Sequence, residues 1–242
     1  MSLHGKTALL TGASSGIGKA LAEKLSQEGV RLLLVARSQA KLQDLADSLP
    51  GESHIQVTDL RQPASLTALL ETVKRHPPLD LLLNVAGVAA LSPISTGNPE
   101  DWREMWEVNV QALAWLCQQC LPLFPETGGH ILNLSSLSGH RVPPTGGFYA
   151  PTKFAVRGLT EALRLELRAA GNPTRVSAIS PGFVDTPLLE RYFEGRATSF
   201  QALKESGMLQ AEDVAEAAFY LLNAPPTVEI NDVPMRSISQ QV

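Results

Sequence analysis

The sequence predicts an α/β fold: a doubly wound parallel sheet of about seven strands with helices on both faces. Three observations lead there. Short apolar runs alternate with amphipathic stretches along the whole chain. Several of those runs are apolar at nearly every position, as strands covered on both faces are. The first run ends in a glycine-rich segment, Thr11-Gly-Ala-Ser-Ser-Gly-Ile-Gly18, which opens an amphipathic stretch. A length of 242 residues suits one domain over 1–242.

The elements follow in order. Residues 7–10 form the first strand, and 16–28 the helix after the glycine segment. Residues 31–36 form the second strand. Ser38 is placed to cap a helix over 41–49, which carries Leu42, Leu45 and Leu49 on one face. A third strand at 55–57, a helix at 64–75 and a fourth strand at 79–83 come next. One long helix is expected over 99–121, then a strand at 130–134, a helix at 148–170 and a strand at 176–179. A helix at 211–223 and a strand within 228–235 finish the chain. Right-handed crossovers put the loops after the strands along one edge of the sheet. Ligands of such sheets bind at that edge, where strand order reverses. Residues 143–147 and 182–207 are the least regular stretches. The second is long for a loop, so 183–207 is expected to be a functional lid.

Composition excludes several classes. Apolar residues make up 44% of the chain, enough for a sizeable core. The formal net charge is -4 and no basic tract tracks a phosphate backbone, so nucleic acid is not an expected partner. No apolar run approaches a membrane span, and no basic segment followed by an apolar one opens the chain, so a cytoplasmic enzyme is expected. The cysteines, Cys117 and Cys120, fall in an apolar helix-like stretch. No second ligand pair accompanies them, so they are expected to be reduced helix cysteines rather than a metal site.

Gly12, Gly16 and Gly18 allow a tight turn and close approach of backbone to a pyrophosphate, and the helix N-terminus behind them favours phosphate. The second strand ends at Ala36-Arg37-Ser38. An acid there would favour NAD; Arg37 can instead pair with a 2′-phosphate and Ser38 can hydrogen-bond it, which predicts NADP(H) in preference to NAD(H). The competing reading makes Arg37 a solvated loop charge, and Ser15 supplies no second basic residue.

Tyr149 and Lys153, four residues apart, share one helix face. A nearby ammonium favours phenolate and fits Tyr149 for proton exchange with an alcohol or ketone. Ser136, just after the fifth strand, can orient the substrate oxygen. Asn109 is a candidate fourth member, holding Lys153 and a water chain.

With these residues in place, the chain resembles a classical short-chain dehydrogenase/reductase over nearly its whole length, which implies a single Rossmann-type domain. Thr11 to Gly18 resembles that family's TGxxxGxG cofactor loop, which brings in Ser14, Ser15 and Ile17. Asp59-Leu60 matches the pair that contacts adenine. Asn84-Val-Ala-Gly87 resembles the NNAG segment, so Asn84, Ala86 and Gly87 are expected at the cofactor, with Val85 departing from the pattern. Asn109, Ser136, Tyr149 and Lys153 match the catalytic tetrad, and Lys153 and Tyr149 would also contact the nicotinamide ribose. Pro181, Gly182, Val184 and Thr186 are expected at the nicotinamide. The resemblance implies a homotetramer or homodimer, packed through the helix carrying Tyr149 and Lys153 and the apolar stretch 112–116. It also implies interconversion of a carbonyl compound and an alcohol, with NADP(H) as the partner.

Two other classes compete with this one. A cofactor-binding regulator without significant catalysis tends to lose a tetrad member, and none is lost here. An epimerase or dehydratase usually carries a longer C-terminal substrate domain. Substrate identity is expected in the loops 88–98, 137–147 and 183–207. His140, Arg141, Arg191 and Arg196 could receive a carboxylate there, or be solvated loop charges. Phe148, Phe183, Tyr192, Phe193 and Phe200 could build an apolar pocket for a bulky ketone.

Overall fold

In the computed structural model, which describes residues 3–76, 78–144 and 146–240, seven parallel strands form one sheet in the order β3-β2-β1-β4-β5-β6-β7. Thr145, within the irregular stretch 143–147, lies outside the described residues. The strands are β1 (Thr7–Thr11), β2 (Arg31–Ala36), β3 (Ser53–Val57), β4 (Leu81–Asn84), β5 (His130–Leu134), β6 (Arg175–Pro181) and β7 (Asp232–Met235). Every expected strand is present. The last is shorter than the run 228–235, and Pro234 sits within it, which an edge strand tolerates because one side of its ladder stays unpaired.

Alternation along each strand assigns side chains to two layers. Ala8 and Leu10 of β1, Leu32 and Leu34 of β2, and Leu81 and Leu83 of β4 pack on one face. That face is covered by α1 (Gly16–Gln27), α2 (Gln39–Ser48) and a C-terminal helix over Ala211–Leu222. Leu9, Leu33, Val35, Leu82 and Ile131 point the other way, against α3 (Pro63–Lys74) and the helices between β4 and β6. Period two in the strands and two apolar helix layers explain why the runs read as fully apolar. Ser38 caps α2 as expected, its Oγ accepting from Lys41 N at 3.4 Å.

Two expectations are corrected. The single helix over 99–121 is divided into α4 (Pro99–Trp106), a π-helical turn (Glu107–Gln111) and α5 (Ala112–Cys120). Apolar periodicity runs through the break, so sequence pattern does not reveal it. The extra residue of a π turn shifts the helix face locally, and Asn109 lies in that turn, buried. The segment 182–207 is not a loop. It holds α7 (Pro187–Tyr192) and α8 (Ala197–Ser206), followed by α9 (Ala211–Leu222). Gly195 separates two short helices, and α8 buries no residue, so it carries no amphipathic signal to read. The remaining helix, α6 (Tyr149–Ala169), forms as expected.

The ends of the 183–207 segment are tied together. Leu209 N donates to Phe183 O at 3.0 Å and Asp185 N to Leu209 O at 2.9 Å. The C-terminal tail adds two ties: Phe183 N donates to Gln240 Oε1 at 2.9 Å, and Ser239 Oγ to Gly207 O at 3.2 Å.

Candidate active site

Strand order reverses between β1 and β4, and a cavity of about 760 Å³ opens beyond their C-terminal ends. It runs from the loops after β1, β2 and β3 to those after β5, β6 and β7. At one end lies the glycine loop. Gly12 has φ +72, and a Cβ there would meet Ala86 Cα at 2.7 Å, so neither its conformation nor its space admits a side chain. A Cβ on Gly18 would lie 2.1 Å from Gly12 O, so α1 packs directly on the turn. Ser15, the N-cap of α1, makes no side-chain cap, which leaves the first N–H groups of the helix facing the cavity. That cradle fits a pyrophosphate.

Arg37, Ser38, Asp59 and Leu60 line the cavity beyond the glycine loop. So does Lys41, which sequence reading missed; its position on the first turn of α2 brings it back toward Arg37, a neighbour that helical geometry alone suggests. Asp59 is held by Arg61, whose backbone N and Nε reach Oδ1 at 3.0 Å and whose Nη2 reaches Oδ2 at 2.7 Å, and that hydrogen bonding keeps its carboxyl below the usual range. Glu104 of α4 forms a second centre. Its carboxylate meets Arg191 of α7 at 2.9 Å, Arg61 at 3.7 Å and Arg37 at 3.8 Å, bridging the loops after β2 and β3 to the 183–207 segment.

At the other end, Ser136, Tyr149 and Lys153 converge on the cavity. The Ser136 hydroxyl stands beside the Tyr149 phenol and opposes the rise in its pKa; it donates to Pro181 O at 3.4 Å and accepts from Ser138 N at 3.1 Å. Burial raises the phenol above its ordinary value. Lys153 is 3% exposed, its Nζ donates to Leu134 O at 2.8 Å, and burial pulls its pKa down to about 8. The nitrogen lies 5.7 Å from the centre of the Tyr149 ring. The expected lowering of the phenol by the ammonium is absent: loss of solvent raises it, and the opposing influence comes from Ser136. A neutral phenol at this place can donate a proton to an oxygen held beside Ser136.

Asn109 sits behind the cavity. Its Oδ1 accepts from Val88 N at 2.8 Å, and its Nδ2 donates to Val88 O at 2.9 Å and Thr152 Oγ1 at 3.2 Å. It clamps the loop after β4 to α6 beside Lys153, without touching Lys153. Asn84 likewise stays out of the cavity wall: its Nδ2 donates to Asn133 Oδ1 at 2.9 Å and to Cys117 Sγ at 3.4 Å. Ala86, Gly87, Pro181, Gly182, Val184 and Thr186 do line the cavity, with Ser14, Ser15, Gly16 and Ile17 at the loop. Val85 is buried and also borders the cavity, and its N–H donates to Thr11 Oγ1 at 3.2 Å. Cys117 and Cys120 are free and buried, and burial pushes both thiols up to about 12. Phe183 and Tyr192 face the site; Tyr192 meets Tyr149 edge-on at 6.0 Å and leads into a cluster with Phe193 and Phe200.

With that geometry in place, comparison with known proteins is consistent throughout. A family model described as short chain dehydrogenase matches residues 6–197. Dehydrogenase/reductase SDR family member 11 of Bos taurus is 37% identical, covering 97% of each chain. An uncharacterized oxidoreductase of Staphylococcus epidermidis is 36% identical over 96% of this chain and 97% of its own. Among solved structures, the closed form of a serine dehydrogenase complexed with NADP+ superposes with a TM-score of 0.91 at 30% identity, covering 98% of this chain and 96% of its own. An alcohol dehydrogenase from Thermococcus sibiricus complexed with 5-hydroxy-NADP gives 0.82 at 30% identity, covering 98% of each.

Proposed function

The chain belongs to the short-chain dehydrogenase family, and from that premise we propose that it is an NADP(H)-dependent oxidoreductase interconverting a carbonyl compound and a secondary alcohol. One observation carries the reading: a single cavity has a phosphate cradle at one end and Ser136, Tyr149 and Lys153 at the other. The bound nicotinamide supplies the hydride. Gly12, Gly16, Gly18 and the N-terminus of α1 hold its pyrophosphate. Arg37, Ser38 and Lys41 receive the 2′-phosphate, and three polar groups of this kind favour NADP(H) over NAD(H). Asp59 and Leu60 border the adenine.

Tyr149 gives its proton to the carbonyl oxygen as the alcohol forms, and takes it back in the reverse direction. Ser136 orients that oxygen. Lys153 holds the nicotinamide ribose and restores the phenol's proton. Asn109 ties the backbone of Val88 to the Thr152 hydroxyl, beside Lys153. The 183–207 segment acts as a lid over the substrate, its Tyr192 packed on Tyr149. Bound NADP in several solved neighbours supports the cofactor assignment. We place the enzyme in the cytoplasm, where two free thiols stay reduced; among the described residues no helix is long and apolar enough to cross a membrane. We also infer a homodimer or homotetramer through α6, supported by exposed Phe154 and Leu165 on that helix.

The test is oxidation of NADPH over a panel of ketones, aldehydes and keto acids, with the Tyr149→Phe variant beside it. Turnover should fall by about a thousandfold or more in the variant while NADPH still binds. Undiminished turnover in Tyr149→Phe would sink the role given to the phenol.

A further inference from the structure

The cavity carries more positive charge than its cofactor end requires. Its wall holds Arg37, Lys41, Arg141, Lys153 and Arg236, against one carboxylate, Asp59, which Arg61 already engages. The chain as a whole is net negative, so this surplus belongs to the cavity. Arg37 and Lys41 lie beside the glycine loop, and Lys153 is bonded to Leu134 O. Arg141 and Arg236 are left over. Among the described residues neither guanidinium has an ion-pair or hydrogen-bond partner.

Both flank Ser136. Arg236 directly follows β7, where Gly182 N donates to Met235 O at 2.8 Å, and Ser136 bonds the carbonyl of Pro181 next to it. The backbone of Arg141 is held to Leu137 O at 3.1 Å, so it turns back over the residue after Ser136. In the sheet β7 stands four strands from β1, about 19 Å at ordinary strand spacing, which sets Arg236 far from phosphates on the glycine loop. A nicotinamide ring is neutral when reduced and cationic when oxidised, so it offers these guanidinium groups no anion. Nearby basic residues are committed or displaced: His140 Nε2 lies 2.9 Å from Asp232 Oδ2, Arg191 meets Glu104, and Arg196 does not line the cavity.

We propose that the substrate is an anionic carbonyl compound whose carboxylate or phosphate ester is received by Arg141 and Arg236, while its carbonyl oxygen meets Ser136 and Tyr149. This rests on the reading that the cavity binds NADP(H) and reduces a carbonyl. Planar guanidinium forks suit both anions, and Phe183 and Tyr192 offer the carbon skeleton an apolar wall. The substrate's charge then completes the site, and binding weakens with salt.

The experiment uses the intact protein with NADPH and three matched series: 3-oxo acids, their methyl esters, and phosphate esters of hydroxyketones of similar length. Binding of each to the NADP+ complex is measured beside kcat/KM. An anionic series should exceed the esters by about tenfold or more, with the advantage shrinking as salt rises. The acid or the phosphate series leading tells which anion the forks prefer. Arg236→Met and Arg141→Met should each cut the anion-to-ester ratio of kcat/KM by about tenfold, chiefly through KM. Arg196→Met should leave the ratio alone. Esters performing as well as acids would overturn the proposal, as would arginine variants that lower both series alike. A complex that binds NADPH yet neither binds nor reduces any anionic compound would overturn it too. Failure of NADPH itself to bind would bring down the cofactor reading beneath it.

Discussion

Tyr149 and Lys153 are moved in opposite directions by one cause. Burial raises the phenol and lowers the ammonium to about 8, because each loses charge when water is withdrawn. For Lys153 the free value is 10.5, so between pH 8 and 10.5 the unfolded chain binds the proton that the folded chain has given up. Lys153 therefore weakens the fold in full below pH 8, and the penalty fades as pH rises toward 10.5. Lys153→Met should be more stable than the parent at neutral pH, by at most about 3 kcal/mol, with the gain closing at alkaline pH and catalysis lost. Thermal unfolding against pH checks this; a variant less stable at neutral pH would contradict it. At this scale the glycines were legible as one short motif, and Ser136, Tyr149 and Lys153 as another, because each set keeps fixed spacing within a short stretch of chain. Arg236 and Glu104 were not, since only the folded chain brings Arg236 to the cavity and Glu104 to Arg37, Arg61 and Arg191. Asn109 and Asn84 were legible as positions but misread in their contacts, because direction within a π turn or at a strand end is set by packing.

Among the elements, α4 and α7 meet through a single carboxylate. The Glu104 side chain is 18% exposed and holds Arg191 with one oxygen, while the other faces Arg37 and Arg61. The lid is thus strapped at α7 by charge, and at its two ends by the Gln240 and Ser239 contacts. Breaking the strap should free the lid and speed cofactor release. Glu104→Gln and Arg191→Gln are each expected to raise the dissociation rate about two- to fivefold, and the double variant no further. Stopped-flow release of NADH is the suitable readout, because without a 2′-phosphate the release of Arg37 from Glu104 has no counterpart in the ligand. Additive effects in the double variant would show that the two residues act separately. The strands were readable because a sheet covered on both faces demands uninterrupted apolar runs. The lid helices were not, because α7 spans six residues and α8 buries none.

For the whole molecule, the strand order places every loop that carries chemistry along one edge, and the reversal between β1 and β4 opens the crevice there. Alternating elements and right-handed crossovers made this edge predictable from the sequence. The width of the cavity and the charge at its far end required the fold, since they come from residues as distant as Arg37 and Arg236. The central claim is that hydride passes from NADPH to a carbonyl carbon at this edge while Tyr149 supplies the proton. The most direct measurement is reduction with NADPH deuterated at the transferring position of nicotinamide C4, followed by mass and NMR analysis of the product. The account predicts deuterium at the carbinol carbon, and no labelled product from Tyr149→Phe. Product free of deuterium, or formed without consumption of NADPH, would contradict it.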